Sequence, residues 1–163
     1  MYFVKQIFSI ALMAGFLTAC SAITDFNNPE TKINFADELG DELAVTITDT
    51  LGTVNLEFKT ALPADNADAV YDMIGNEIIL QIVDNESNVG VTLTEKPVSD
   101  TPAAAGEYMV NVSDDNTFVE ITFYNKTVEG HALHPGGDYS ALLHVTKNDF
   151  FETGDYTFAV TVK

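Results

Sequence analysis

The sequence has one cysteine, Cys20, and neither arginine nor tryptophan among its 163 residues. A single cysteine cannot form a disulfide within the chain, so no intramolecular crosslink supports the fold. The absence of arginine removes the planar side chain that usually holds carboxylate or phosphate groups through two hydrogen bonds. The single cysteine therefore needs a role other than an internal disulfide.

The N-terminal segment has the composition of a secretory signal. Lys5 is followed by the apolar stretch IFSIALMAGF and then by Leu17-Thr18-Ala19-Cys20. The apolar stretch is shorter than the roughly 20 residues that span a bilayer, and a charged start before a short apolar stretch is typical of a signal peptide. An ordinary signal peptide cleaved at the small residues of TACSA is one interpretation of this pattern.

The four residues Leu17-Thr18-Ala19-Cys20 also resemble the lipobox of bacterial lipoprotein precursors. The resemblance implies that residues 1–19 are a signal peptide that is removed, and that a diacylglycerol with palmitate-like chains is attached to the sulfur of Cys20. Ser21 follows Cys20 where an aspartate would retain the protein in the inner membrane. The resemblance therefore favours a lipid-anchored protein of the bacterial cell envelope, in the outer membrane facing either the periplasm or the outside.

The mature chain is strongly acidic. The whole sequence has a net charge of −18, and removal of Lys5 with residues 1–19 leaves six lysines against 25 acidic residues, or −19. This balance excludes nucleic acid, which requires a basic patch, and excludes a polybasic contact with anionic lipids. Solubility accounts for the acidity, and a cationic partner or loosely held divalent cations are the alternatives.

Residues 20–42 are polar, contain Pro29 and show no sustained hydrophobic period. We interpret them as the lipidated N-terminus and tether. Ile33, Phe35 and Leu39 in the second half are apolar side chains that a following domain can bury.

From Leu43 onward, short segments with apolar residues at alternate positions are separated by turn residues, a pattern typical of strands. We predict eight strands, namely AVTIT, VNLEFK, EIILQIV, VGVTLTE, EYMVNV, TFVEITFY, DYSALLHVT and DYTFAVTV. Of these, EIILQIV is apolar on both faces, as a central strand would be. The first two are expected to form a hairpin, and the fifth and sixth to be joined across SDDN. Residues 43–163 are therefore predicted to be one all-β domain, an antiparallel sandwich of about 7–9 strands, with one short helix near residues 65–74.

Two segments of this domain share a motif, Gly137-Asp138-Tyr139 and Gly154-Asp155-Tyr156, each followed by alternating apolar residues. In this respect the chain resembles bacterial immunoglobulin-like and cadherin-like modules. The resemblance implies an immunoglobulin-like sandwich and carries no function with it. The six tyrosines and eleven phenylalanines fall mostly at alternating positions, which favours core packing over a ligand-binding platform.

All three histidines lie in one stretch, EGHALHPGGDYSALLHV. His131, His134, Asp138 and His144 are candidate ligands for zinc or copper. His144 is about 17 Å along the predicted strand from Tyr139, so the four converge only if the loop with His131 and His134 folds back. Otherwise alternation places His144 on the outward face as a surface histidine.

The sequence offers little for catalysis. It has no G-x-S-x-G and no glycine-rich phosphate loop before a helix, and the lipobox assigns its cysteine to lipid. The segment DNADAVYDMIGNE lacks the spacing of a calcium-binding EF-hand. We predict a protein that is not an enzyme and has no cofactor beyond covalent lipid on Cys20, with calcium, zinc and copper as alternatives.

These observations favour a non-enzymatic cell-envelope lipoprotein, an immunoglobulin-like binding or structural accessory module that presents loops or an edge strand to another envelope protein. The membrane, through the lipid, and that protein are the expected partners; nucleic acid and small-molecule ligands are not. One alternative is a periplasmic copper- or zinc-binding lipoprotein that uses the region of His131 and His134. The other is a surface-fibre subunit, because ETGDYTFAVTVK is similar to the closing strand of chaperone–usher pilins, although SAITDFNNPETK departs from their donor strand.

Overall fold

The computed structural model of the chain describes residues 32–62, 78–94, 96–145 and 151–163. Lys32–Lys163 form one compact unit. The predicted signal peptide, Cys20 and the helix predicted near residues 65–74 lie outside the described residues.

The described chain consists of a short helix followed by eight strands. The helix α1 spans Phe35–Glu38, and the strands are β1 (Glu42–Thr48), β2 (Leu51–Glu57), β3 (Ile78–Asp84), β4 (Gly90–Leu93), β5 (Tyr108–Val112), β6 (Phe118–Tyr124), β7 (Tyr139–Val145) and β8 (Gly154–Val162). Each of the eight predicted strands overlaps one of these, so the apolar pattern located every strand that the structure describes.

The eight strands form one sheet in the order β4-β3-β7-β8-β1-β2-β6-β5, which nearly closes into a barrel. All neighbours are antiparallel except β1 and β8, which run parallel with Leu43 opposite Val160 and Val45 opposite Val162. The predicted purely antiparallel arrangement is therefore wrong at this pair. Alternation identifies the face that a strand buries, but it does not identify the strand beside it, and β1 bonds both β2 and β8.

The predicted hairpin and the predicted connection across SDDN are both present. In the first, Thr48 pairs with Leu51, so residues 49–50 form a two-residue turn in which Asp49 has a positive φ of 48°. In the second, β5 pairs antiparallel with β6, and the N–H of Ser113 donates to the carbonyl of Phe118 over 2.9 Å. Asp and Asn favour such turns because they tolerate the left-handed region of the backbone.

One face of the sheet is packed into the core. Along β7 every second residue is buried, from Tyr139 to Val145, and the residues between them are partly exposed. The largest fully buried side chains are Phe35, Phe123, Phe151, Leu56, Ile82, Leu93, Leu143, Val45, Val54 and Val91. This burial of apolar surface is the main term that stabilises the domain.

The segment that precedes β1 packs into the same core. Helix α1 is capped by the Oδ1 of Asn34, which accepts from the N–H of Ala36 over 2.9 Å. The Phe35 ring is fully buried, with ring centroids 4.6 Å from Phe151 and 5.5 Å from Tyr156. Aromatic pairs at such distances add to the energy of area burial.

The two ends of the sheet carry different connections. We call the end with α1, residues 58–62, the turn 113–117 and residues 151–153 the proximal end. The carbonyl of Ile33 accepts there from the N–H of Glu152 over 2.8 Å, and that of Thr117 from the N–H of Phe58 over 2.8 Å. The chain reaches this end at Lys32.

The opposite end, here the distal end, carries the turn 49–50, the turn 85–89, the loop 125–138 and Lys163. The carbonyl of Thr50 accepts from the N–H of Asn125 over 2.7 Å, and that of Asp138 accepts from the N–H of Asn85 over 2.9 Å. Since β7 has seven residues, the two ends are separated by about 20 Å along this strand.

Candidate functional site

A cleft of about 110 Å³ opens at the distal end, between the turn 85–89 and the loop 125–138. Its lining includes Asp84, Ser87, Thr127, His131, His134 and Tyr139, together with the apolar side chains of Val89, Val91 and Leu133. At about 30 Å³ per water molecule, the cleft has room for a few waters or for one side chain of a partner.

The loop 125–138 is held by one buried amide. Asn125 is 2% exposed, its Nδ2 donates to the carbonyl of Leu133 over 3.0 Å, and its Oδ1 accepts from the N–H of Leu133 over 2.9 Å. A buried amide with both groups bonded is stable, whereas one left unpaired is costly. Asn125 therefore fixes Leu133 in the core, between the two cleft histidines in sequence.

A tight turn over residues 127–131 forms one rim of the cleft. The N–H of Thr127 donates to the carbonyl of His131 over 2.8 Å, and its Oγ1 accepts from the N–H of His131 over 3.1 Å. Gly130 has a φ of 87°, a conformation that side chains rarely adopt. The turn leaves Val128 94% exposed, so an apolar side chain projects from the distal end into solvent.

Tyr139, the first residue of β7, forms the floor beside His134. Its hydroxyl accepts from the backbone N–H of His134 over 3.2 Å, and the two rings meet edge-on with centroids 6.0 Å apart. A Cβ on Gly137 would overlap the Tyr139 ring. Glycine at position 137 is therefore what allows the tyrosine to fold back under the loop.

Asp84 forms the opposite wall through an Asx turn. Its Oδ1 accepts from the backbone N–H of Glu86 over 2.8 Å and from that of Ser87 over 2.9 Å. These bonds, with that from Ser87 the larger, hold the pKa of Asp84 below its ordinary value, and nearby His134 contributes a smaller electrostatic lowering. The cleft thus carries a fixed negative charge opposite two imidazoles.

Asn85 ties the two walls together. Its Nδ2 donates to the carboxylate of Asp138 over 2.9 Å, and its Oδ1 accepts from the hydroxyl of Ser140 over 2.8 Å. The turn 85–89 is thereby attached to the loop 125–138, which fixes the width of the cleft.

The structure does not gather the four candidate metal ligands into one cluster. His131 and His134 both line the cleft, whereas Asp138 accepts from Asn85. His144 faces outward from β7 with its side chain 43% exposed, as predicted, and pairs with Asp155 on β8. Within the described ranges, no group of three or more His, Cys, Asp or Glu side chains is arranged to hold a metal ion.

Sequence reasoning missed Asp84 and Asn125 as parts of this site. An Asp followed by Asn-Glu-Ser at a strand end is a turn signal that could have located Asp84. Asn125 follows an alternating strand without any local signal, because its partner is eight residues away.

No protein-family model matches the chain, and no curated protein matches it either. In the part of the chain that the structure describes, no helix has the length and apolar character needed to span a membrane. The function proposed for the chain therefore rests on its own residues.

Proposed function

We propose that the chain is a lipid-anchored, non-enzymatic protein of the bacterial cell envelope, whose immunoglobulin-like domain presents its distal end to another envelope protein. The observation that carries this proposal is the arrangement of the two ends. Lys32 lies at the proximal end, while the cleft and the exposed Val128 lie at the distal end. An anchor that precedes Lys32 would leave the distal end available to a partner.

The anchor is the lipid on Cys20, in the outer membrane. Each buried methylene contributes about 0.8 kcal/mol, so two or three acyl chains hold a protein almost permanently. Eleven residues separate Cys20 from Lys32, which when extended span at most about 40 Å. Such a connection would keep the domain close to the membrane surface.

The strand order supports the immunoglobulin-like part of the proposal. With β1 to β8 lettered A, B, C, C′, D, E, F and G, the order is C′-C-F-G on one side and A-B-E-D on the other. These are the neighbours within the two sheets of immunoglobulin domains. The β1–β8 pairing joins the two sets of four strands at their A and G members.

The hydroxyl of Tyr139 supports the same assignment. Immunoglobulin-like domains have a tyrosine near the start of strand F whose hydroxyl bonds the backbone a few residues upstream. Tyr139 opens β7 and bonds the backbone of His134, five residues upstream. Tyr156 of the second Gly-Asp-Tyr motif makes a similar contact, since its hydroxyl donates to the carbonyl of Glu152 over 3.0 Å.

The charge of the distal end indicates which kind of partner surface it would attract. The distal end carries five acidic residues against two lysines, and the chain as a whole has a net charge of −18; they are Asp49, Asp84, Glu86, Glu129 and Asp138, with Lys126 and Lys163. A partner surface with lysine or arginine would be attracted, and the attraction would weaken as salt screens it.

Photo-crosslinking in intact cells tests the proposal. A photoreactive amino acid is placed at Val128 on the distal end and, as a matched control, at exposed Ala61 on the proximal end of the full chain. We expect a discrete crosslinked protein from position 128, absent from position 61 and lost with Cys20→Ser. Equal crosslinking from both positions, or crosslinks at 128 that are independent of Cys20, would overturn the proposal.

A further inference from the structure

The sheet has two edge strands, because it nearly closes into a barrel without pairing β4 to β5. An edge strand presents backbone N–H and C=O groups that can pair with another chain, and proteins usually guard such edges. The two edge strands of this sheet differ in how far they are protected from pairing with another chain.

The β4 edge is guarded. This strand has four residues, and the N–H of Thr94 just beyond it donates to the carbonyl of Gly106 over 3.0 Å. Gly90 lies so close to the backbone of Ile82 that a Cβ would overlap the Ile82 carbonyl. Pro97 follows shortly. A short strand with its end already bonded offers little room for another chain.

The backbone N–H and C=O groups of β5 point alternately to its two sides. The carbonyl of Glu107 accepts from the N–H of Tyr124 over 3.2 Å, and the N–H of Ser113 donates to Phe118 over 2.9 Å. Both pairs lie in register with the β5–β6 ladder. In an antiparallel ladder the bonded positions alternate, so odd-numbered residues of β5 bond β6 and the backbone groups of even-numbered ones point away from it.

The backbone groups of Val110 and Val112 therefore point away from β6. Among the described residues, no hydrogen bond reaches these backbone groups. Their side chains are partly buried against the core, so the open edge is apolar on its inner face. Tyr108–Val112 contains no proline, glycine or lysine, and its register with β6 has no bulge.

The surroundings of β5 are acidic. Glu107 precedes the strand, Asp114 and Asp115 follow it, and Glu120 on β6 accepts from the Nδ2 of Asn111 over 3.1 Å. With a net charge of −18 per chain, a second copy of this protein would be repelled. A cationic chain would be attracted.

We propose that β5 is a docking edge for an extended, cationic segment of another protein, which adds a strand and bonds the backbone of Val110 and Val112. Apolar side chains of that segment would face the core beside these two valines, and lysines at alternate positions would face the acidic exterior. Strand addition of this kind gives affinity through main-chain hydrogen bonds and specificity through alternate side chains. The proposal does not depend on the lipid anchor or on the distal cleft.

A peptide of alternating valine and lysine tests the proposal, with binding to the full chain in detergent measured by calorimetry. The first control peptide has glutamate in place of lysine. Two further control peptides keep the lysines but carry N-methyl groups on alternate amides. The two differ in which alternate set of amides is methylated. The protein variant is Val110→Pro, which removes an N–H that points away from β6 and leaves the N–H groups that bond β6 in place, and its melting temperature is compared with that of the native chain.

We expect the lysine peptide to bind and the glutamate peptide not to bind. One methylated register should bind as the parent does, and the other about tenfold or more weakly, as for the loss of one or two hydrogen bonds. Val110→Pro should weaken binding by a similar factor. Absence of binding by the lysine peptide, equal binding of both methylated registers, or dimerisation of the chain would overturn the proposal; the methylated peptides decide it even if Val110→Pro fails to fold.

Discussion

The side chain of Asn125 bonds both backbone groups of Leu133, donating to the carbonyl over 3.0 Å and accepting from the N–H over 2.9 Å. It is the buried polar residue of the described core. The loop between β6 and β7, with both cleft histidines, is therefore positioned from inside the domain.

Replacing Asn125 with alanine should destabilise the domain by about 3 kcal/mol, because the N–H and C=O of Leu133 would be buried without partners. Denaturant unfolding measures this loss. Asn111→Ala is the control, since Asn111 is exposed on β5, and it should change the free energy of unfolding by no more than about 0.5 kcal/mol. Equal effects of the two substitutions would contradict the role given to Asn125.

Gly137→Ala should displace the Tyr139 ring, because the added Cβ overlaps it. We expect a loss of about 1–3 kcal/mol, typical of overpacking, and a changed amide environment at His134 in an NMR spectrum. Gly40→Ala is the matched control, since a Cβ there has nothing within 4 Å. An unchanged His134 amide in Gly137→Ala would show that the tyrosine does not depend on this glycine.

Phe35→Ala should cost about 3–5 kcal/mol, as for other buried phenylalanines, because the ring is fully buried beside Phe151 and Tyr156. Val98→Ala is the control, since Val98 is fully exposed. Thermal unfolding of both variants measures the difference. A Phe35→Ala melting temperature equal to that of Val98→Ala would show that α1 does not belong to the stable domain.

The positions of the strands were predictable because alternation records which residues face the core. In β7, Tyr139, Ala141, Leu143 and Val145 are buried and His144 is outward, as their spacing indicates. The pairing of β1 with β8 was not predictable, since Leu43 and Val160 are far apart in sequence. The alternating pattern of each strand is compatible with more than one neighbouring strand. Pairing depends on how the sheet curls, which no local pattern records.

The candidate site was predictable only in part. His131 and His134 share a short stretch, and the structure places both at one cleft. Asp84 reaches that cleft from another hairpin because Asn85 bonds Asp138 and Ser140 across more than fifty residues of sequence. Such long-range contacts follow from the fold and have no signature in the local sequence.

Asp115 should make the free energy of unfolding of the domain depend on pH. Its Oδ1 accepts from the hydroxyls of Ser113 over 2.6 Å and Thr117 over 2.7 Å, and from the N–H of Thr117 over 3.2 Å. These bonds, that of Ser113 first, lower the pKa of Asp115 from 3.8 to about 2. Because the folded pKa is the lower one, the stabilisation is complete above the unfolded value and is lost as the pH falls through about 4 towards 2.

Urea unfolding of the native chain and of Asp115→Asn measures this dependence. The native chain should be the more stable by a constant amount above about pH 4, and the difference should shrink towards about pH 2. Asp114→Asn is the control, since the neighbouring carboxylate is not the acceptor in these bonds. A difference between native chain and Asp115→Asn that stays constant down to the lowest pH would contradict the prediction.

The proposed lipid on Cys20 is the central claim, since it would set the location of the protein. Bacterial cells that express the full chain or Cys20→Ser are grown with labelled palmitate, and the label on each purified protein is measured. The account predicts label on the native protein, found in the membrane fraction, and none on Cys20→Ser. An unlabelled native protein, or equal label on both, would contradict it.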